Sequence, residues 1–395
     1  MMTQPDLLQA YQDIFQTADT PRSFFAPGRI NLIGEHTDYN GGHVFPAAIS
    51  LGTYAIASKR TDHTLRFYSM NFPDAGIIEC TLSDLSYHAD HDWANFPKGM
   101  IQLFIANGFT IDAGMDVLFY GNIPNGAGLS SSASIEMATG VVLEELFNLT
   151  IDRLQMILLG QKVENDYIGV NSGIMDQFAI GKGKQDHAML LDCQTLEFSY
   201  APVELNGYEI VIINSNKQRT LAGSKYNERR AECEQALMDL RTELPIDSLG
   251  ELTGEQFEQH KQLIANDISR KRAKHAVYEN ERTVRALSEL EQGHIEAFGK
   301  LMNASHVSLR DDYEVTGPEL DKIAETAWNH PGVIGARMTG AGFGGCAIAI
   351  VQQEQIDSFK HTLSSAYSEE FGYPPSFYET KISDGAKELV KEWQL

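Results

Sequence analysis

The chain has 395 residues, 43% of them apolar, and a formal net charge of −23 at pH 7. A length of about twice the usual domain predicts two domains with a sizeable buried core. The strong negative charge repels phosphate backbones and anionic lipids, which disfavours nucleic-acid and membrane partners.

Hydrophobic periodicity and turn residues predict an α+β chain. In chain order, the predicted helices cover residues 5–16, 96–107, 132–148, 150–168 with Thr150 as N-cap, and most of 226–297. The predicted strands cover residues 24–32 with an interruption at Pro27 and Gly28, 44–49, 54–57, 115–120, 188–191, 208–213, 332–338 and 346–351. This order favours two α+β halves that meet near residue 200, and we divide the chain into residues 1–203 and 204–395.

Two further protein classes are disfavoured. The four cysteines, Cys80, Cys193, Cys233 and Cys346, are far apart and lack the paired spacing of a structural zinc site. No stretch approaches the run of ~18 apolar residues of a membrane span, and the start lacks the pattern of a secretory leader. We therefore expect a cytoplasmic protein, and we expect it to be a monomer.

The segment 126–133, with the sequence GAGLSSSA, follows a predicted strand and opens a predicted helix. Small residues allow the main chain to approach a polyphosphate closely, and the free N–H groups and dipole of a helix start favour negative charge. A hydroxyl in that first turn can also coordinate magnesium. A serine-rich cap on an ordinary helix fits this segment equally well.

Two common nucleotide-binding signatures are excluded. The chain contains no Gly-x-x-x-x-Gly-Lys-Ser/Thr sequence, so it has no P-loop. Residues 340–345 match Gly-x-Gly-x-x-Gly, but they lead into the strand-like segment 346–351 instead of a helix, which disfavours a Rossmann fold. A second glycine loop near a ligand, or a tight hairpin, remains.

Polar side chains cluster among glycines around the first predicted strand. They are Arg29, Asn31, Glu35, His36 and Asp38. Such a cluster is typical of a ligand pocket, and a solvated hairpin is the alternative.

Two acidic residues further along the chain are also candidates. Asp176 is predicted to lie in a tight loop beside apolar neighbours, and Glu164 on the preceding helix is a candidate metal ligand or an ordinary exposed glutamate. The basic cluster Arg270, Lys271, Arg272 and Lys274 precedes Glu279 and Glu281, which indicates a salt-bridged, solvated helix face.

These segments together resemble the galactokinase family, within the superfamily of galactose, homoserine, mevalonate and phosphomevalonate kinases. Residues 28–39 (GRINLIGEHTDY) are similar to the galactokinase signature, 126–133 to the phosphate-binding motif, and 338–345 to the C-terminal glycine motif. Shorter similarities lie at residues 92–95, 308–313 and 383–386, so the resemblance spans residues 25–389.

The resemblance implies a bilobal fold in which each lobe is a β-sheet with packed helices, with ATP and sugar bound in the cleft between the lobes. It implies transfer of phosphate from ATP to the C1 hydroxyl of D-galactose, the first committed step of galactose catabolism. Asp176 and Arg29 would flank the reacting hydroxyl, and Ser132 and Glu164 would hold Mg²⁺. The sugar would be held by Glu35, His36, Thr37, Asp38 and Tyr226. ATP would be held by Ser69 near the adenine, with Trp93 nearby, and by Gly126, Ala127, Gly128, Leu129, Ser130, Ser131 and Ser132.

Two alternatives on the same scaffold are an N-acetylgalactosamine kinase and a non-catalytic galactose sensor. Such sensors can carry a deletion in the serine-rich loop, whereas this chain retains Ser132, Ala133, Asp176 and Arg29. A homoserine or mevalonate kinase is disfavoured by residues 35–38 (EHTD), which resemble a sugar-binding arrangement.

Overall fold

The computed structural model describes residues 3–17, 20–124, 127–217 and 222–390, and three sheets form within these ranges. A six-stranded sheet, in the order β13-β1-β3-β6-β4-β5, consists of β1 (Arg22–Asn31), β3 (Pro46–Lys59), β4 (Thr64–Ser69), β5 (Ile78–Thr81), β6 (Met115–Gly121) and β13 (Lys387–Glu388). A three-stranded sheet consists of β2 (His43–Val44), β7 (His187–Asp192) and β8 (Phe198–Pro202). A four-stranded sheet, in the order β10-β11-β9-β12, consists of β9 (Tyr208–Asn214), β10 (Val333–Thr339), β11 (Cys346–Gln352) and β12 (Ser376–Glu379).

The helices of the described ranges cover these sheets. In the first half they are α1 (Gln4–Phe15), α2 (Asn95–Ala106), α3 (Ser131–Leu146), α4 (Arg153–Lys162) and α5 (Met175–Lys182). In the second half they are α6 (Ala222–Leu240), α7 (Gly254–His260), α8 (Asp267–Glu291), α9 (Ile295–Ser308), α10 (Gly317–Trp328) and α11 (Ile356–Phe371). The α+β class predicted from the sequence is confirmed. None of these helices is both long and apolar enough to cross a membrane.

One strand differs from the prediction in a way that matters for the site. The predicted strands 44–49 and 54–57 lie mostly in the single strand β3, which pairs with β1 on one side and β6 on the other. The pairing register of β1 and β3 shifts between Pro27 and Gly28, where two residues of β3, Ser50 and Leu51, have no partner on β1. β1 itself is not interrupted from Arg22 to Asn31, and the candidate residue Arg29 lies within it.

Two other sequence predictions, the cap of α4 and the position of Asp176, were wrong. Asp152, not Thr150, caps α4, because its carboxylate accepts hydrogen bonds from Leu154 N and Gln155 N. The predicted end of that helix at residue 168 is confirmed, because α4 continues after Lys162 as the π-helical turn Val163–Ile168. Asp176 lies in the first turn of α5 and not in a loop.

The basic cluster is only partly solvated. The Arg272 side chain is 2% exposed and pairs with Glu232 at 2.7 Å and Glu314 at 2.8 Å. Lys274 pairs with Asp312 at 2.9 Å. The carboxylate expected to face the cluster, Glu279, is fully buried on α8 and pairs with Arg282 instead. Helix packing, which sequence spacing does not reveal, decided these partners.

Three apolar clusters form most of the core. One packs α3 and its neighbouring helices under the first sheet, a second packs α8 and α11 against β9, β10 and β11, and a third joins residues of both halves, including Ile30, Leu129, Phe298 and Ile348. A fully buried aliphatic side chain contributes ~1.5–3 kcal/mol, so the shared cluster fixes the two halves relative to each other.

A division near residue 203 remains our proposal. The chain passes from the three-stranded sheet to the four-stranded sheet between β8 and β9. However, the late strand β13 pairs with β1 at Phe24 and Phe25, so the last described residues return to the first sheet.

Candidate active site

A cavity of about 540 Å³ lies where β1, the start of α3, α5 and α6 meet. Its volume is within the range of small-molecule sites. The sequence-predicted residues that line it are Arg29, Glu35, His36, Asp38, Gly128, Ser130, Ser131, Ser132, Glu164, Asp176 and Tyr226. Side chains from the signature segment, the serine-rich loop and three helices therefore converge on one cavity.

The serine-rich loop is shaped by two left-handed residues. Gly128 has a φ of +75° and Ser130 has a φ of +63°, and α3 begins at the next residue, Ser131. The loop is fixed to β1 because Arg29 N donates to Leu129 O at 3.2 Å. The first N–H groups of a helix lack intrahelical partners, so this loop presents donors and a positive dipole end toward the cavity.

Arg29 and Asp176 form a two-point ion pair. Arg29 Nε donates to Asp176 Oδ1 at 2.8 Å and Nη2 donates to Oδ2 at 3.0 Å, while Nη1 donates to Gly128 O at 2.7 Å. Ser130 Oγ also donates to Asp176 Oδ2. Burial opposes the charge on Arg29, but Asp176 and Glu35 together raise its pKa above the ordinary value. Arg29 therefore keeps its charge although it is buried.

Ser132 and Glu164 form the second polar pair of the cavity. Ser132 Oγ donates to Glu164 Oε1 at 2.6 Å, and Glu164 is 7% exposed on the π-helical turn. Burial raises the pKa of Glu164, and its hydrogen bond with Ser132 lowers it in part. Two side-chain oxygens beside the start of a helix suit Mg²⁺, which commonly takes its remaining ligands from phosphates and water. The described residues contain no group of three or more His, Cys, Asp or Glu side chains placed to hold a metal ion.

Glu35 joins the signature segment to the C-terminal glycine motif. Its side chain is 2% exposed, and Oε1 accepts a hydrogen bond from Gly340 N at 2.7 Å. Burial raises the pKa of Glu35, while the nearby Arg337 and Arg29 lower it. One carboxylate thus connects residues 305 positions apart in the chain.

His36 is neutral, and its tautomer follows from its partners. Burial lowers the pKa of His36 to about 3. Nε2 lies 3.2 Å from Ala341 O, which can only accept, so Nε2 carries the proton. Nδ1 then accepts from the Tyr39 hydroxyl at 2.7 Å, and that hydroxyl lies 2.7 Å from the hydroxyl of Tyr313. This chain of hydrogen bonds holds the imidazole ring in one orientation.

Asp38 and Tyr226 complete the polar side of the cavity. Burial, followed by the charge of Asp176, raises the pKa of Asp38 to about 7. A Cβ atom on Gly173 would lie 1.7 Å from Asp38 Oδ2, so a larger residue there would displace the Asp38 carboxyl group. The Tyr226 ring lies 5.7 Å from the His36 ring and 5.4 Å from the Tyr39 ring, between their centroids.

The comparisons with known proteins agree with this arrangement. The galactokinase galactose-binding signature matches residues 9–59, and the N-terminal and C-terminal GHMP kinase domains match residues 95–184 and 286–369. A galactokinase of Ligilactobacillus salivarius is 59% identical over 367 residues, which are 93% of this chain and 95% of that protein. A galactokinase of Exiguobacterium sibiricum is 57% identical over 391 residues, which are 99% of this chain and 100% of that protein.

The chain belongs to the galactokinase family. It is therefore a kinase. The crystal structure of Lactococcus lactis galactokinase complexed with galactose has a TM-score of 0.96 and 52% identity, covering 98% of this chain and 99% of that one. Methanococcus jannaschii mevalonate kinase has a TM-score of 0.65 at 18% identity and covers 93% of this chain and 100% of that one, which shows a shared fold alone. The resemblance inferred from the motifs is thus confirmed.

Several predicted site residues of this galactokinase-family chain do not line the cavity. Thr37 is fully buried, and its hydroxyl donates to Gly34 O at 2.8 Å and His43 O at 2.6 Å, so it holds the turn and does not face a ligand. The side chains of Ala127 and Leu129 are buried in the core. Gly126 lies outside the described residues.

Ser69 lies near a second cavity, of about 270 Å³, and not in the first. Its hydroxyl accepts a hydrogen bond from Asn71 N at 3.2 Å. Asn71 and Trp93 line this second cavity, and the buried Trp93 Nε1 has no hydrogen-bond partner among the described residues. Asp92, also in its wall, has the uncommon φ of +40°.

Sequence reasoning missed the role of three groups. The hydroxyl of Ser130 contacts Asp176, although the sequence analysis assigned Ser130 to phosphate alone. The main chain of Gly340 and Ala341 contacts Glu35 and His36. The glycine motif was an available signal for the last two, but its partners are about 300 residues away and only the fold reveals them.

Proposed function

We propose that this chain transfers the γ-phosphoryl group of ATP to the C1 hydroxyl of D-galactose, giving α-D-galactose 1-phosphate and ADP. The observation that carries the proposal is the Arg29–Asp176 pair, which lies between the serine-rich loop and the signature cluster in one cavity. Relatives at 55–59% identity are galactokinases, and the Lactococcus lactis protein was crystallised with galactose.

Asp176 is proposed to act on the proton of the C1 hydroxyl. As the bond from O1 to the γ-phosphorus forms and the bond to the β-phosphate oxygen breaks, the hydroxyl proton passes to a carboxylate oxygen. Arg29 and Ser130 fix both Asp176 oxygens, so the carboxylate needs little reorganisation during the reaction. Arg29 also supplies positive charge beside the transferred group.

Ser132 and Glu164 are proposed to hold Mg²⁺ on the phosphates. When bound, the ion neutralises charge that develops on the phosphate oxygens. The main chain from Gly128 to Ser132 would face the phosphates, because the left-handed Gly128 and Ser130 turn this segment into the start of α3. Ser132 lies in the first turn of that helix, next to the place that a phosphate would take.

Glu35, His36, Asp38 and Tyr226 are proposed to bind the sugar. Carboxylates accept hydrogen bonds from hydroxyl groups, and aromatic rings pack against the apolar faces of a pyranose ring. The neutral His36 adds no positive charge at this end of the cavity, which suits an uncharged sugar. Thr37 supports these residues through the turn it stabilises.

The adenine is proposed to occupy the second cavity. The unpartnered Trp93 Nε1 is a buried donor that a nitrogen acceptor of the base would satisfy. Ser69 would act there through Asn71, and not by direct contact with the nucleotide.

Coupled detection of ADP across a panel of sugars tests the proposal. The panel contains galactose, glucose, N-acetylgalactosamine, mevalonate and homoserine. We expect turnover that is highest with galactose and depends on Mg²⁺. A higher kcat/KM with N-acetylgalactosamine would replace the proposed substrate, and galactose binding without ADP formation would identify a sensor.

A further inference from the structure

Two fully buried charged residues lie behind the cavity without lining it. They are Glu279 on α8 and Arg337 on β10, and both side chains are 0% exposed. Moving such ions out of water costs several kcal/mol each, and apolar residues of similar volume would pack the core at lower cost. Their contacts therefore indicate what they do.

Glu279 contacts the main chain of the signature segment. Its Oε1 accepts a hydrogen bond from Gly34 N at 3.0 Å and another from Ser305 Oγ. Its Oε2 accepts from Arg282 Nε at 2.8 Å. Burial alone would raise the pKa of Glu279. The pKa is instead lowered to about 2 by the nearby Arg282, His275 and Arg337, so the side chain is ionised.

Arg337 connects Glu279 to Glu35. Its Nε donates to Ser305 Oγ at 3.2 Å, and the same hydroxyl donates to Glu279. Its Nη1 donates to Asn31 O at 2.8 Å and lies 3.5 Å from Glu35 Oε1. Arg337 thus contacts both the end of β1, at Asn31, and the Glu35 carboxylate that follows it in the chain.

Charges of alternating sign therefore run from the protein surface to the cavity. In order they are Arg282, Glu279, Arg337, Glu35, Arg29 and Asp176. A further contact fixes the main chain of Glu35, because His275 Nε2 donates to Glu35 O at 3.0 Å. Each charge in the series offsets part of the free-energy cost of burying its neighbours. The contacts of each side chain also restrict the positions that the next side chain can take.

We propose that Glu279 and Arg337 are positioning residues that fix the Glu35 carboxylate for sugar binding. This inference rests on the proposed function, in which Glu35 contacts galactose. Neither residue touches a substrate, so both act through Glu35 and the Gly34 main chain. Burial raises the pKa of Glu35, and the Arg337 guanidinium is the largest of the influences that lower it.

The test measures kcat and both KM values for Arg337→Met, Arg337→Lys and Glu279→Gln. Arg285→Gln is the matched control on α8, because Arg285 is 68% exposed and pairs only with Glu289 in the described structure. We expect Arg337→Met to raise the KM for galactose about 10- to 100-fold and to leave the KM for ATP within about twofold. Arg337→Lys and Glu279→Gln are expected to have smaller effects of the same kind.

A double-mutant cycle with Glu35→Gln separates positioning from general destabilisation. If Arg337 acts through Glu35, adding Arg337→Met to Glu35→Gln changes the KM for galactose by less than about twofold. Effects that multiply in the cycle, or equal increases of both KM values, would overturn the inference. If Arg337→Met does not fold, the same cycle is run with Arg337→Lys. Wild-type protein that turns over no sugar would instead refute the proposed function.

Discussion

Arg29 and Asp176 are 147 residues apart in the chain, yet they form a two-point ion pair with distances of 2.8 and 3.0 Å. The arginine lies on the strand β1, and the carboxylate lies in the first turn of α5. The pair has a third partner in Gly128 O, which belongs to the serine-rich loop. The proposed proton acceptor and the serine-rich loop are thereby held at a fixed separation.

Replacing Asp176 with asparagine tests its proposed role. The substitution preserves size but removes the charge and the proton acceptor, so kcat is expected to fall about 10²- to 10⁴-fold. Nucleotide binding, measured by calorimetry, is expected to persist. Turnover within threefold of wild type, in folded protein, would contradict the assignment.

Ser132→Ala and Glu164→Ala test the proposed metal ligands. Each removes one of two oxygens that lie 2.6 Å apart, so each is expected to shift the Mg²⁺ titration of activity to higher concentration. The double variant is expected to lose less than the product of the single effects, because both residues serve one ion. If the Mg²⁺ titration curves of both single variants coincide with that of wild type, Mg²⁺ is bound by other residues.

Asp38→Ala tests whether Asp38 binds the C4 hydroxyl of the sugar, whose orientation distinguishes galactose from glucose. With glucose bound, the half-buried carboxylate of wild-type Asp38 would lack its hydroxyl partner and would remain dehydrated. This costs roughly 2–4 kcal/mol, or about 30- to 1000-fold in specificity. We expect wild type to prefer galactose strongly and the variant to lose part of that preference. The measurement is kcat/KM for both sugars, and equal proportional losses would show that Asp38 does not read C4.

The raised pKa of Asp38 predicts a pH-dependent cost to stability. An acid with a folded-state pKa of about 7 and an ordinary value of 3.8 binds its proton more tightly in the folded state, so stability falls as pH rises between these values. Asp38→Asn is therefore expected to raise the Tm relative to wild type at pH 8 and much less at pH 4.5. Asp247→Asn is the control, since the Asp247 side chain is 91% exposed. A Tm difference that is constant with pH would refute this explanation.

Trp93→Phe tests the second cavity. Phenylalanine keeps an aromatic ring but lacks the Nε1 donor, which is buried and unpartnered in the described structure. We expect the KM for ATP to rise about 3- to 15-fold, as for one lost hydrogen bond, with the KM for galactose unchanged. An effect on galactose alone would show that the second cavity does not bind the nucleotide.

Much of the site was predictable because its motifs are local. The glycines and serines of residues 126–133 and the polar cluster of residues 28–38 combine residue types that suit phosphate and sugar chemistry in short segments. Helices such as α2 and α3 followed from their periodicity. The cytoplasmic location and the monomeric state remain predictions.

The sequence by itself determined the family and the candidate residues of the site, whereas the tertiary structure decided which charges are buried and what they contact. Glu279 illustrates the difference, because its spacing on a charge-rich helix indicated a solvated face, but packing placed it at 0% exposure against Gly34 N. The proton position on His36 likewise depends on Ala341, 305 residues away. Burial and pairing arise from contacts between distant segments, so no local pattern contains them.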